Sequence, residues 1–364
     1  MLTPSRLTLA RQRRGVTKVR LAESVELSVR SISAYENGHQ EPSAQSLHDL
    51  ARALAVPVAF LEAEEVDEIP AGAISFRAPS KLPAARRDMA RSAGRIGVML
   101  ADWITDRFRL PTPDVPSLSR HSPEDAAAIV RARWGLGESP VGDMLRLLEY
   151  HGVRVFSLAA ECADVDAFSF YWHGTPYVFL NTSKSGERGR FDAAHELGHL
   201  VLHGDHREPH GPDAEQEANR FAASFLMPAA SVLAQPLRNA SIGQVLAAKA
   251  IWRVSAMALT HRLGELGLLT EWGYRAAFVN LARAGYRTDE PGGIPRETSQ
   301  LLSKVFRALR AEGITPATAA HELHITVDEL NSHVFGLIPT VVGGGKQTSI
   351  GSRPKLRLVQ AGKD

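Results

Sequence analysis

The chain has 364 residues, 42 of them lysine or arginine and 40 aspartate or glutamate, and 44% are hydrophobic. This length predicts two or three domains at roughly 150 residues each, and the charge balance excludes a protein that binds nucleic acid through its total charge alone. The single cysteine, Cys162, excludes an internal disulfide, and we find neither a secretory signal nor about 18 consecutive apolar residues, so we expect a cytoplasmic protein.

Residues 1–65 are predicted to form a compact, all-α domain of short helices. Its basic side chains are concentrated in the first twenty residues, which contain no acidic residue. The segments RLTLARQRR, KVRLAESV, VRSISAYENG and SAQSLHDLARAL carry the helical signals, and Ser43 after Pro42 is a predicted N-cap.

The second and third of these helices have helix-turn-helix spacing, with a three-residue turn between them. In that geometry the second helix lies in the major groove of DNA. Ser28 would cap this helix and leave its front exposed, and Arg30 would pair with a guanine edge or a phosphate. Lys18 and the basic residues before it are expected to meet phosphates. The predicted DNA-binding residues are Lys18, Val29, Arg30, Ser31 and Ser33.

The stretch LAESVELSVRSISAYENGHQEPSAQSLHDLARAL resembles the Cro/lambda-repressor (XRE-type) helix-turn-helix family. The resemblance implies binding to double-stranded DNA and, on a palindromic site, a homodimer. Glu26 stands where the family usually has glycine, which would either strain the turn or be tolerated. The alternative is a small helical bundle for dimerisation or partner binding.

The acidic run LEAEEVDEIP at 61–70 predicts a domain boundary, followed by a helical linker over residues 66–120 with a helix around MARSAGRIGVMLADWI. Residues 121–235 are predicted to form an α+β domain. Two helices, SPEDAAAIVRARWGL and PVGDMLRLLEYHG, precede the strand segments VRVFSL and AFSFYWHGTPYVFLN, whose turn is expected at His173 and Gly174.

The segment FDAAHELGHLVLH at 191–203 contains the pattern His-Glu-x-x-His. On a helix His195 and His199 lie one turn apart on the same face, so both imidazoles can reach one divalent metal ion. Glu196 then lies beside the ion, where a general base would take a proton from a water molecule that the metal has made more acidic. The pattern predicts a catalytic metal site.

Such a site needs a third protein ligand, for which His203, Glu215 and Glu217 are candidates. His203 would lie about 12 Å along a straight helix from His195, so we expect it in the second shell or at the surface. Glu215 shares a helical stripe with two alanines that would let its helix approach closely. Glu217 points elsewhere, so Glu215 is the predicted ligand, with Asn219 orienting a ligand from the second shell.

HELGHLVLH, followed by EQEANRFAASFLMP, resembles the ImmA/IrrE family of zinc-dependent metallopeptidases, and ISFRAPS and YRTDEP resemble the flanks of members that carry an XRE domain in front. The resemblance implies a gluzincin-like site with ligands His195 and His199, base Glu196 and a downstream glutamate as third ligand. It also implies cleavage of repressor proteins in stress or mobile-element responses.

Residues 236–340 are predicted to form a helical C-terminal region, with the segments IGQVLAAKAIWRV, MALTHRLGELGLL and SQLLSKVFRALRAEG. The basic, glycine-rich residues 341–364 are predicted to be disordered. The stretch TPATAAHELHITVDEL weakly echoes the N-terminal helix pair.

The predicted strands at 168–180 would offer an edge to an extended substrate, or would only cover the core. Oxyanion stabilisation by Tyr171, His173 or Tyr177 stays open at the level of sequence.

The sequence thus predicts a multidomain protein, with an all-α helix-turn-helix domain, an α+β gluzincin-like metallopeptidase domain and a helical C-terminal region. The leading functional hypothesis is a DNA-binding transcriptional regulator with a zinc endopeptidase that cleaves a protein, a repressor or itself. Manganese remains an alternative to zinc. The rival hypotheses are a transcription factor whose metal site is a non-catalytic sensor or structural element, and a regulator whose C-terminal helices bind a small-molecule effector.

Overall fold

A computed structural model describes residues 1–70, 72, 74–77, 83–204 and 211–337. Within these residues the chain forms seventeen α-helices and one four-stranded sheet. The tail at 341–364 and the end of the ISFRAPS motif lie outside the described residues.

The N-terminal helices are α1 (Pro4–Arg13), α2 (Lys18–Ser24), α3 (Val29–Glu36), α4 (Ala44–Ala53) and α5 (Val58–Glu62). They enclose a core that includes Leu7, Ile32 and Leu50, each with no exposed surface. The predicted caps are confirmed, because Ser28 accepts a hydrogen bond from Ser31 N and Ser43 accepts one from Ser46 N. The all-α class predicted for this region is therefore correct.

The central part of the chain contains β1 (Ser75–Arg77), α6 (Ala84–Thr105), α7 (Pro123–Arg133), α8 (Met144–Tyr150), β2 (Arg154–Leu158), β3 (Ala167–Trp172), β4 (Thr175–Asn181), α9 (Gly186–His203) and α10 (Pro212–Leu226). The strand order is β1-β3-β4-β2. Only β2 and β4 are parallel. The predicted hairpin turn at His173 and Gly174 joins β3 to β4, and both residues have positive φ angles.

The sheet separates two apolar cores because side chains alternate between its faces. Phe168 on β3 and Phe179 on β4 point into the core shared with α6 and the N-terminal helices, whereas Ala167 and Leu180 join the core of α9. Helix α6 approaches the sheet closely at Gly97, where a Cβ atom would lie 2.5 Å from Phe179 Cε1. The α+β class predicted for this region is confirmed.

The segment predicted as a helical linker contains α6 but also β1, which extends the sheet by pairing with β3. After α10 the chain continues into the C-terminal helices, which are α11 (Ala229–Leu233), α12 (Ile242–Trp252), α13 (Ala256–Glu265), α14 (Glu271–Arg283), α15 (Gln300–Ala311), α16 (Pro316–Glu322) and α17 (Val327–His333). No single helix in the described residues has the length and apolar composition of a membrane span, and α12 with α13 passes only as a pair bent by 100°.

Buried carboxylates fasten the C-terminal region to the sheet domain. Glu297 pairs with Arg190 of α9 at 2.6 Å and accepts the backbone N–H of Met144 at 2.8 Å, at the start of α8. Glu149 of α8 in turn accepts hydrogen bonds from Ser299 Oγ and from the backbone N–H of Leu301 in the first turn of α15. These contacts satisfy helix N-terminal donors that would otherwise be buried without partners.

Burial raises the pKa of Glu149 to about 7 from its ordinary value of 4.5, although the hydrogen bonds that it accepts act in the opposite direction. Between these two pH values the folded protein binds more protons than the unfolded chain, so the contribution of this group to stability is complete below pH 4.5 and is lost as the pH rises to about 7. Glutamine stays neutral at every pH. As the pH rises from 4.5 to about 7, we therefore expect the free energy of unfolding of Glu149→Gln to increase by up to about 3 kcal/mol relative to that of the parent.

The measurement is the difference in thermal unfolding midpoint between parent and Glu149→Gln from about pH 5 to about pH 8. The exposed Glu138→Gln serves as the control for replacing a glutamate by glutamine. A difference that stays constant with pH for Glu149→Gln would contradict the predicted titration.

Candidate metal centre

Helices α9 and α10 lie close together because small residues line their contact. A Cβ atom added at Gly198, inside the His-Glu-x-x-His motif, would lie 3.2 Å from Ala218 Cα and 3.1 Å from Phe221 Cδ1. A larger residue at 198 would push the helices apart. The two alanines that the sequence placed on the Glu215 stripe, Ala218 and Ala222, are fully buried here.

Three donor groups converge between these helices. The Nε2 atoms of His195 and His199 are 3.0 Å apart, and the Glu215 carboxylate lies 3.4 Å from the first and 3.3 Å from the second. Among the histidine, cysteine, aspartate and glutamate side chains of the described residues, these three form a group that could hold a metal ion. The structure therefore brings together the two histidines and the glutamate that the sequence selected.

The three groups differ in solvent access. His195 is fully buried and His199 is 3% exposed, whereas the Glu215 side chain is 36% exposed. Burial acts to raise the pKa of Glu215, but the contacts with His195 and His199 outweigh it and hold this pKa well below its ordinary value. The carboxylate is therefore ionised at neutral pH and faces solvent from an otherwise enclosed pair of imidazoles.

A side chain from α10 orients His195 from behind. Its Nδ1 lies 3.0 Å from Asn219 Oδ1, an acceptor, so Nδ1 carries a proton and Nε2 is the nitrogen that faces Glu215. Asn219 thus lies where the sequence predicted an orienting residue.

A second chain of contacts orients His199. Glu217 Oε2 lies 2.8 Å from His203 Nε2, and His203 Nδ1 lies 3.1 Å from His199 Nδ1. Because the carboxylate can only accept, His203 donates through Nε2 and accepts the Nδ1 proton of His199, which leaves His199 Nε2 facing the centre. His203 and Glu217 were weighed as ligands from the sequence, and the structure places both of them behind a ligand instead.

Glu196 is fully buried beside the cluster and is held by the sheet. Its Oε2 accepts a hydrogen bond of 2.6 Å from Ser169 Oγ on β3. The sequence reasoning missed Ser169. A signal for it exists in AFSFYW, where Ala167, Ser169 and Tyr171 occupy one face of the strand, so a serine on an inward position pointed to a polar neighbour.

The three oxyanion candidates lie in different places. Tyr171 donates a hydrogen bond of 3.4 Å to Leu200 O and therefore faces α9. Tyr177 stacks on Phe170 in the opposite core, where burial raises its pKa to about 12. His173 lies in the hairpin turn and stacks on Trp172. Of these three, only Tyr171 lies on the side of the sheet that faces the cluster.

The expected open strand edge is occupied where the structure describes it. Strand β1 pairs with residues 167–169 of β3, which include Ser169 beside Glu196. Backbone pairing with an extended substrate, one of the two alternatives for residues 168–180, is therefore excluded at residues 168 and 169.

The DNA-reading helix predicted from the sequence is α3, and its front is open. Val29 is 41% exposed, Arg30 is exposed, and Ser31 and Ser33 are half-buried. Lys18 begins α2 as expected, and its Nζ lies 3.0 Å from Glu36 Oε2 with 36% of the side chain exposed. Glu26 has a φ angle of 54°, in the left-handed region that favours glycine.

The arginines before Lys18 are largely used inside the protein. Arg6 donates to Glu64 O, Arg11 pairs with Glu36, and Arg13 pairs with Glu329. Arg6 and Arg13 are 7% and 3% exposed. The expectation that these basic residues meet phosphates is therefore wrong for all three side chains.

The donor set at the centre fits a divalent metal. Ligand distances of about 2.0–2.2 Å in a tetrahedral site place donor atoms roughly 3.3–3.6 Å apart. The contacts with Glu215 at 3.3 and 3.4 Å match that spacing, and the two imidazole nitrogens at 3.0 Å lie slightly closer. The Nε2 atoms of both histidines face the ionised carboxylate, so all three groups could bind one cation.

Comparison with known protein families agrees with this geometry. Residues 7–61 match a family model described as helix-turn-helix, and residues 148–264 match a peptidase model described as the IrrE N-terminal-like domain. No curated protein matches the chain. The second match runs through α13, past the boundary predicted at 235. The chain therefore joins an XRE-type helix-turn-helix segment to a metallopeptidase-like segment of the ImmA/IrrE type, as its sequence predicts.

Proposed function

We propose that this protein is a DNA-binding transcriptional regulator whose zinc-dependent endopeptidase domain cleaves a regulatory protein, either a repressor or the protein itself. The convergence of His195, His199 and Glu215 beside the buried Glu196 carries the proposal. The helix-turn-helix match supports the DNA-binding part, and the IrrE-like match supports a protein substrate.

His195, His199 and Glu215 would hold the metal ion. Two imidazoles and a carboxylate suit zinc, with manganese as the alternative. When bound, a divalent ion supplies Lewis acidity, which polarises a peptide carbonyl and makes a water molecule more acidic. The half-exposed Glu215 lies on the open side of the cluster, so a substrate would enter there.

Glu196 would serve as general base and then as general acid. Its carboxylate would take a proton from the attacking water and deliver it to the amide nitrogen as the carbon–nitrogen bond breaks. The hydrogen bond from Ser169 would hold the carboxylate in one orientation during both transfers. A site with a purely structural role has no need of such a base.

On the DNA side, α3 would enter the major groove, with Val29, Arg30, Ser31 and Ser33 at its front and Lys18 near the backbone. We further propose a homodimer on a palindromic operator, a cytoplasmic location and a role in a stress response. The proposed domains are 1–65, 66–120, 121–235 and 236–340, although β1 of the second segment belongs to the sheet of the third and the IrrE-like match extends to residue 264.

The pair Glu215→Gln and Glu217→Gln tests which glutamate is the ligand. Glu215→Gln should weaken zinc affinity by more than about 100-fold, because it replaces an anionic carboxylate ligand with a neutral amide that binds zinc weakly. Glu217→Gln should weaken it by at most about tenfold, since Glu217 acts only through two hydrogen bonds. Competition with a chromogenic chelator measures both affinities, and a larger loss for Glu217→Gln would contradict the assignment.

Glu196→Gln should keep the metal and lose proteolysis. Removal of a general base lowers a rate by about 10²- to 10⁴-fold, whereas the neutral amide preserves the shape of the site. Cleavage of regulators from the same genome, with and without chelator, measures the rate, and elemental analysis measures the metal. If the variant cleaves a verified substrate as fast as its parent, the proposed mechanism with Glu196 as base is wrong.

Arg30→Ala should weaken DNA binding. A bidentate contact to guanine predicts a loss of about 1–3 kcal/mol and relaxed specificity at one position, whereas a phosphate contact predicts a salt dependence shallower by about one unit. The matched control is Arg52→Ala, an exposed arginine of α4 outside the reading helix. Equal DNA affinities of the two variants over a salt series would argue against α3 as the reading helix.

A further inference from the structure

The last three described helices repeat the first three in the same register. Residues 300–336 align with residues 2–38 without a gap at a constant offset of 298, and α15, α16 and α17 fall on α1, α2 and α3. Seven of the 37 aligned pairs are identical, including Gly15 with Gly313 and Thr17 with Thr315.

The backbone follows the alignment. Three left-handed residues of the first unit have left-handed equivalents in the second, with φ angles that agree within 15°. The pairs are Gly15 (64°) with Gly313 (79°), Glu26 (54°) with His324 (56°), and Gly38 (69°) with Gly336 (64°). The second unit has a further left-handed residue, Phe335 (58°), where Asn37 has a φ angle of -97°.

The helix caps also coincide. Thr17 accepts a hydrogen bond from Arg20 N at 3.2 Å, and Thr315 accepts one from Thr318 N at 3.1 Å. Ser28 accepts from Ser31 N at 2.9 Å, and Thr326 accepts from Glu329 N at 3.1 Å.

Five core positions coincide in the two units. The aligned pairs are Leu7 with Val305, Leu21 with Ala319, Ala22 with Ala320, Ile32 with Leu330 and Tyr35 with His333, each at most 4% exposed. Four of these pairs lie on the second and third helices, so α16 packs with α17 as α2 packs with α3. Helix α15 also buries Leu302, Phe306 and Leu309, whose equivalents on α1 are partly exposed.

A common helical turn does not account for this agreement. The pair α12 and α13 also has a left-handed residue, Arg253, before a serine cap at Ser255. Aligning Arg253 with Glu26 places Gln244 on Thr17 and Ile242 on Gly15, so the first cap and the first glycine are lost. Among the described residues, the shared caps and left-handed residues therefore distinguish residues 300–336 from the pair α12 and α13.

The DNA-contacting chemistry is not repeated. Asp328 stands at the place of Arg30, Glu329 at that of Ser31 and Pro316 at that of Lys18. Two acidic residues at the front of α17 would repel phosphates, whereas the front of α3 carries a cation.

Helix α17 also faces inward. Glu329 is 6% exposed and lies 2.7 Å from Arg13 Nε and 3.2 Å from Arg14 Nη1, at the end of α1. Burial acts to raise the pKa of Glu329, but contacts with His333 and Arg13 lower it to about 2, so the pairs stay charged. On the other side, Ser157 Oγ of β2 donates to Ser332 O at 2.7 Å.

We infer that residues 300–336 are a second helix-turn-helix unit whose second helix does not read DNA but forms an internal docking surface for the N-terminal unit. Through Glu329 and Ser332, α17 connects α1 of the DNA-reading unit with β2 of the sheet. The statement about DNA rests on the proposed function, whereas the docking contact does not.

Hydrogen exchange of the full-length protein tests the docking. Glu329→Gln should speed exchange at the end of α1 and in α17 by roughly tenfold or more, with α9 and α10 unchanged, because a buried charge pair is lost. Asp328→Asn, its exposed neighbour, should leave exchange unchanged. Ser157→Ala removes the contact on the sheet side and should speed exchange in α17 but not in α3. Parent-like exchange in both Glu329→Gln and Ser157→Ala would overturn the docking.

DNA titration tests the loss of reading. Asp328→Ala should bind DNA within about twofold of the parent, while Arg30→Ala, at the aligned position of the first unit, should bind more weakly. A loss for Asp328→Ala as large as that for Arg30→Ala would show that the second unit reads DNA and would overturn the inference. If Arg30→Ala has no effect while Glu329→Gln loosens α1, the proposed DNA reading fails and the docking is supported.

Discussion

The close contact between α9 and α10 is the constraint on which the candidate site depends. Gly198 allows α10 to approach with Ala218 against it, and that approach brings Glu215 within 3.4 Å of both imidazoles. One helix carries two of the donors and the other carries the third, so any side chain at residue 198 would separate them. The glycine inside the motif is thus part of the site's geometry.

Helix α10 and the sheet also supply the groups that orient the site. Asn219 fixes the tautomer of His195, Glu217 acts on His199 through His203, and Ser169 holds Glu196 from β3. Each chemically active side chain therefore has a partner behind it. Such support is expected where catalysis needs donors held within a few tenths of an ångström.

Some arginines of the N-terminal helices form contacts inside the protein, and others remain exposed on its surface. Arg6, Arg11 and Arg13 are used for internal contacts, while Arg20 and Arg30 remain exposed. The basic character of the first twenty residues therefore reflects in part the packing of α1 against other elements. A repeat of the same helical unit at residues 300–336 provides the acidic partner for that packing.

The sequence by itself determined features that depend on neighbouring residues: the spacing of His195 and His199 on one helix, the caps at Ser28 and Ser43, the turn at 173–174, and Glu215 on a stripe of small residues. These follow from helical and strand periodicity and from local hydrogen bonding. Only the tertiary structure decided that Glu217 and His203 support a ligand, that Ser169 holds Glu196, that β1 covers residues 167–169 of β3, and that Arg13 meets Glu329. Those contacts join residues far apart in the chain, and their partners depend on how whole elements pack, which periodicity does not encode.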